Sequence, residues 1–201
     1  APSQTLYISG IPQISQERTS RRTRTQTKTT VTTPHILRVL TPGTVDARVS
    51  VEVISSSGIF SPVGFSSRAS KAGQVSDFVF DPNLGPGNFA VRIKSDQPIV
   101  AAVESTIRST SAQNDFVWST PSGALREFSL ATTGLTPVLV FTGDQISLTV
   151  RALLLNGKAV TYPLRGEDLL VWRAPSNSRS LTFTKVGREI YGGALQSSPL
   201  G

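Results

Sequence analysis

Two stretches of this chain, residues 47–53 and 146–152, carry the same two-residue alternation of apolar and polar side chains. In the first, Ala47, Val49, Val51 and Val53 alternate with Arg48, Ser50 and Glu52. In the second, Ile146, Leu148, Val150 and Ala152 alternate with Ser147, Thr149 and Arg151. Successive side chains on a strand point to opposite faces, so each run reads as a strand with one buried face and one wet face. Each then reaches a turn ending in glycine, Ser57-Gly58 and Asn156-Gly157. The likeness extends in both directions. Leu37, Val39 and Leu40 before Thr41 correspond to Val138, Val140 and Phe141 before Thr142. Pro82 corresponds to Pro175, Val91 to Phe183, and Ile99-Val100-Ala101-Ala102 to Ile190-Tyr191-Gly192-Gly193. The separation between matching positions only shrinks along the chain, across Gly-, Pro- and Ser-rich stretches where loop length changes without touching a core. An internal repeat with shortened loops has this form.

The expected fold is all-β: two tandem Ig-like β-sandwich modules related by that repeat. With 201 residues, each half is long enough to bury a core of its own. No stretch repeats apolar residues at three and four over several turns, so nothing reads as a helix. The expected organisation is a basic Ser/Thr-rich N-terminal segment, residues 1–35, partly strand through Leu6-Tyr7-Ile8, then a first module over 36–112 and a second over 113–201. Strands are predicted in the first module at Leu37 to Leu40, Ala47 to Ile54, Val63 to Ser66, Val75 to Phe80, Phe89 to Ile93 and Ile99 to Ser105. In the second they are predicted at Val138 to Phe141, Ile146 to Leu155, Val160 to Leu164, Leu169 to Trp172, Leu181 to Thr184 and Ile190 to Leu195. Asp115-Phe116-Val117-Trp118-Ser119-Thr120 is too apolar for a free linker and is assigned to the second module or to the space between the two.

The chain has no cysteine, which excludes a disulfide framework and a thiolate metal site. No apolar run approaches the length of a membrane span and no signal-peptide pattern is present, so any anchor would lie outside these residues. No cofactor is expected. Asp77, Asp81 and Asn83 are the nearest approach to a calcium loop and read as turn formers. His35, the single histidine, follows Pro34 without a serine elbow or a carboxylate arrangement and reads as a surface residue, not a catalytic one. Glu167-Asp168 are adjacent in a turn, where extended neighbours diverge, and do not form an acid–base pair. The expected protein is not an enzyme.

Two candidate binding elements remain. The formal charge is +7, and Arg18, Arg21, Arg22, Arg24 and Lys28 against Glu17 contribute +4 of it within a segment otherwise made of Ser, Thr and Gln. Such an arm suits polyanions, including nucleic acid, and a virus coat protein packages RNA with one. Against that stand the strand-like residues before it, the absence of interleaved aromatics and the two small modules in place of one jelly roll. Its plain reading is a solvated strand pair or linker. Trp118, Trp172 and Tyr191 would suit a carbohydrate platform if exposed; otherwise they pack in a core or between modules.

Ser95-Asp96-Gln97-Pro98-Ile99-Val100-Ala101-Ala102-Val103, followed by Asp115-Phe116-Val117-Trp118, resembles the actinobacterial secreted family of unknown function called DUF5719. The likeness is carried by residues 36–201. It implies repeated β-rich modules, an extracellular or cell-surface location and no established activity, and it offers no catalytic residues. The function expected from chain and resemblance together is non-enzymatic: adhesion, envelope scaffolding or protein interaction, with a cell-envelope component or a protein as partner. The alternatives are a polyanion-binding protein acting through the arm and a carbohydrate-binding accessory module.

Overall fold

The computed structural model describes residues 1–13, 15–22, 25–107, 115–132 and 136–195. Among them the chain is all-β, with no helix. The first part comprises β1 (Ser3–Gln13), β2 (Ser15–Arg22), β3 (Thr25–Thr32), β4 (His35–Leu40), β5 (Ala47–Ser55), β6 (Gly58–Phe60), β7 (Arg68–Ser70), β8 (Val75–Phe80), β9 (Gly87–Ile107) and β10 (Asp115–Ser119). The second comprises β11 (Phe128–Ala131), β12 (Val138–Gly143), β13 (Ile146–Leu154), β14 (Ala159–Gly166), β15 (Leu169–Arg173), β16 (Ser178–Lys185) and β17 (Ile190–Leu195).

The 21-residue β9 organises the first half. Its N-terminal part lies between β1 and β5, and its C-terminal part between β4 and β10, with β8 beyond β4. One strand therefore serves two layers, and apolar side chains from both layers meet in a single cluster. The sequence reading has two strands here, ended and restarted around Pro98. Instead the strand bends and continues, and the Ser-Asp-Gln-Pro motif is its corner. Pro98 has no N–H for a ladder, which suits the point where pairing changes partner. The Asp96 carboxylate accepts from the Arg48 backbone N–H at 2.7 Å, and its carbonyl accepts from Gln4 Nε2 at 3.0 Å. The register of β1 shifts at the same place, between Ser3 and Thr5.

Two boundaries differ from the sequence reading. β1 stands outside the first module in that reading, yet Leu6, Ile8 and Ile11 are buried in its core. The three-residue step from Ile8 to Ile11 breaks a strict alternation, and a bulge restores it: the register shifts there, and Gly10 takes φ 74°. Asp115–Ser119 is the edge of the first half, with Trp118 opposite Glu104 and Ser119 opposite Val103. The predicted strand at Val63 to Ser66 is absent. Pro62 and Gly64 turn the chain, leaving Val63 fully exposed and Phe65 buried, with the Phe65 N–H donating to the Pro62 carbonyl.

The second half has two sheets, β11-β16-β13-β14 and β15-β12-β17, whose side chains share a second cluster around Phe141, Leu148, Val150 and Phe183. The pairing order has counterparts in the two halves. β4 lies between β8 and β9, as β12 lies between β15 and β17; β1 and β5 flank β9, as β11 and β13 flank β16.

The halves meet where β17 passes β1. Tyr7 and Tyr191 stack at 3.9 Å between centroids, and the Ser122 N–H donates to the Tyr7 carbonyl at 3.1 Å. A Cβ on Gly193 would stand 2.7 Å from the Ser9 carbonyl oxygen, so glycine is what lets the two backbones approach.

Candidate functional site

The most distinctive surface is the solvent side of the layer β8-β4-β9-β10. Alternation sends His35, Leu37 and Val39 inward from β4 and leaves Ile36, Arg38 and Leu40 outward. Register then aligns the outward residues in rows: Val79, Ile36, Glu104 and Trp118; Asp77, Arg38 and Ala102; Val75, Leu40 and Val100. Such a face is ordinarily polar. Here Val79 is 65% exposed, Val75 and Phe116 58%, and Val100 41%, with Ile36, Leu40 and Trp118 half-buried between them.

One ion pair crosses the middle of this face. Arg38 Nε and Nη2 donate to the two carboxylate oxygens of Asp77 at 2.8 and 2.7 Å, and the guanidinium lies 5.0 Å from the centroid of the Trp118 ring. The bond from Arg38 holds the Asp77 carboxyl below its ordinary range. A planar guanidinium held by a fork and stacked on an indole is a fixed feature, unlike a free lysine.

The aromatic residues named from the sequence do not form one platform. Trp118 belongs to the face just described. Trp172 packs into the second core, 5.8 Å from Tyr162 and 6.3 Å from Phe183. Tyr191 lies in the seam against Tyr7; its hydroxyl donates to Glu189 at 3.0 Å, and burial, then Glu189, push its pKa up to about 12.

The basic segment contains the β2–β3 ribbon. Arg18 stands opposite Thr29, Arg21 opposite Gln26, Arg22 opposite Thr25 and Lys28 opposite Thr19. Among the described strands these two pair only with each other. Arg24, and the side chains of Arg18, Arg21, Arg22 and Lys28, lie outside the described residues.

His35 is not the surface residue that its place at a strand edge suggests. It is 2% exposed, between the rings of Phe80 and Phe89. Its Nδ1 shares a hydrogen bond with Ser105 Oγ at 2.8 Å and its Nε2 with Gln13 Oε1 at 3.2 Å. Burial lowers its pKa to about 4, with the Asp81 charge opposing. The ring is neutral at pH 7, and both of its nitrogens are engaged. Sequence reasoning missed Gln13 and Ser105 because each comes from a distant strand that only pairing brings to His35.

The calcium-like residues are engaged as well. Asp77 is held by Arg38, and Asp81 Oδ1 accepts from the Asn83 N–H at 2.8 Å, an ordinary turn. Among the described residues no group of three or more His, Asp or Glu is placed to hold a metal ion, and no helix is long and apolar enough to cross a membrane.

Fold and surface together define an all-β protein of several packed sheets with an apolar outer sheet face. The model of a family described as a family of unknown function, DUF5719, matches residues 1–162, and the chain belongs to that family. The match begins at residue 1 and so takes in β1 and the basic segment, which the motif likeness leaves aside; it ends within β14. No curated protein and no solved structure matches the chain.

Proposed function

We propose that this chain is a non-enzymatic interaction protein, acting in adhesion, envelope scaffolding or protein assembly, and that the outer face of β8-β4-β9-β10 is its contact surface. The observation that carries this reading is the row structure of that face: four large apolar side chains more than two-fifths exposed, around one fixed Arg38–Asp77 pair. Large apolar side chains exposed together on one β-sheet face mark a candidate interaction surface. Apolar rows on either side of a central guanidinium–carboxylate pair, with an aromatic anchor at Trp118, suit a protein partner. The extracellular or cell-surface setting comes from the family resemblance. The two halves read as tandem Ig-like copies of one module, supported by their matching pairing order.

Co-sedimentation with actinobacterial envelopes at physiological salt tests this. The double variant Val79→Ser, Phe116→Ser, whose changes lie on the surface, should keep the wild-type melting temperature and lose binding. Retained binding would refute this assignment of the contact face.

A second reading has one observation in its favour, the separate β2–β3 ribbon in the basic segment. It assigns polyanion binding to Arg18, Arg21, Arg22, Arg24 and Lys28. Binding would then fall steeply with salt and vanish on replacing Arg21, Arg22 and Arg24 by serine.

A further inference from the structure

A cleft of about 390 Å³ lies on the first half's β5–β6 turn and Gly85–Gly87 loop, with β15 of the second half along one side. None of its lining residues carries a charge. Gln13 forms part of its wall, and two features there point to a ligand.

The first feature is the amide of Gln13. The residue is 4% exposed, and one amide atom is used by His35 Nε2. The other, Nε2, has no hydrogen-bond partner among the described residues. If the His35 tautomer were reversed, the amide would turn over and leave its oxygen unpaired instead. In either case a solvent-shielded polar atom of this cleft-lining residue lacks a partner, which costs free energy unless something supplies one.

The second feature is the free edge of β15. The Gly143 N–H donates to the Asp168 carbonyl and the Ala174 N–H to the Pro137 carbonyl. With the register Thr142–Leu169 to Val138–Arg173, these two bonds fix which residues face β12. Leu170 and Trp172 direct their backbone N–H and C=O toward it; Leu169, Val171 and Arg173 direct theirs away. Among the described strands nothing pairs with that outer edge. Leu169 and Val171, two of the outward residues, are also the ones that line the cleft.

We propose that the cleft takes an extended, uncharged peptide segment of a partner protein, which adds as a strand to the outer edge of β15 at Leu169 and Val171 and pairs one peptide group with the Gln13 amide. Extended peptide repeats its N–H and C=O at the two-residue spacing that the edge offers. It also presents both a donor and an acceptor, so it satisfies Gln13 in either orientation. The uncharged lining disfavours a charged segment, whose desolvation nothing there would offset.

Hydrogen exchange of the full chain tests the edge first. In the free protein, the amides of Leu169, Val171 and Arg173 should exchange at least about tenfold faster than those of Leu170 and Trp172. A displayed library of random decapeptides is then selected on the wild-type chain. The recovered peptides are expected to be poor in charge, to slow exchange at Leu169 and Val171, and to bind Val171→Pro about tenfold more weakly while binding Val171→Thr unchanged. Proline there removes an outward N–H and no ladder bond, so the sheet is kept. Should that variant fail to fold, protection on the wild type still decides. Slow exchange of the outward amides in the free chain would overturn the proposal, as would recovery of no binder, binders indifferent to Val171→Pro, or protection of these amides by chitohexaose and not by peptide.

Discussion

Acid should weaken this protein already between about pH 6.5 and 4, and His35 is the reason. The imidazole is held neutral by burial, with a pKa of about 4 against an ordinary 6.5. Between those values the unfolded chain binds a proton that the folded chain refuses. Stability therefore stays constant above about pH 6.5 and declines as pH falls toward 4. A separation of two to three pKa units corresponds to a loss of about 3 kcal/mol across the window. Asp46, Glu52 and Asp77 are held below their ordinary 3.8 to 4.5 by bonds from Lys71, Arg92 and Arg38, so their contributions fade only at lower pH. The range from pH 6.5 to 4.5 thus reports mainly on the histidine. Urea unfolding at half-unit steps, for the wild type and for His35→Gln, separates the effect: the variant is less stable at pH 7 but should lose the slope. Because His35 is the only histidine, its ring C–H resonances can be followed by NMR without assignment. A midpoint near 6.5, or equal slopes for the two proteins, would refute the argument that burial sets this group.

Three further outcomes follow from the packing. Gly193→Ala places a methyl group 2.7 Å from a backbone oxygen that cannot rotate aside, so it should lower stability by about 1–3 kcal/mol, whereas Gly85→Ala, with nothing within 4 Å, should not; calorimetry of both checks this. The Tyr7–Tyr191 stack across the seam should give a coupling of about 0.5–1.5 kcal/mol in a double-mutant cycle with leucine at each position, and strict additivity would mean the rings do not act together. Phe183, fully buried and 4.5 Å from Phe128 between centroids, should cost about 3–5 kcal/mol on truncation to alanine, read from denaturant midpoints.

Most strands were legible because their cause is local. Ala47 to Val53 and Ile146 to Ala152 alternate, and the alternation survives in the folded chain as β5 and β13. Val63 to Ser66 misled because Val63 and Phe65 alternate in type, while Pro62 and Gly64 make a turn that leaves one out and takes the other in. The apolar outer face was not legible. In β8 both Val79 and Phe80 are apolar, so composition does not say which of them faces solvent. The unpaired edge of β15 was hidden for the same reason, since Leu169-Leu170-Val171-Trp172 is apolar on both sides.

Sequence alone therefore determined that this chain is all-β and where most of its strands run, because pleat, turn and proline act between neighbours. Only the tertiary structure decided that β9 joins two layers, that β1 and β10 complete the first half, and that Gly193 admits β1 at the seam. It also decided that His35 is buried against Gln13 and Ser105. Each of these depends on which distant strand pairs with which, and a local pattern carries no record of its partner.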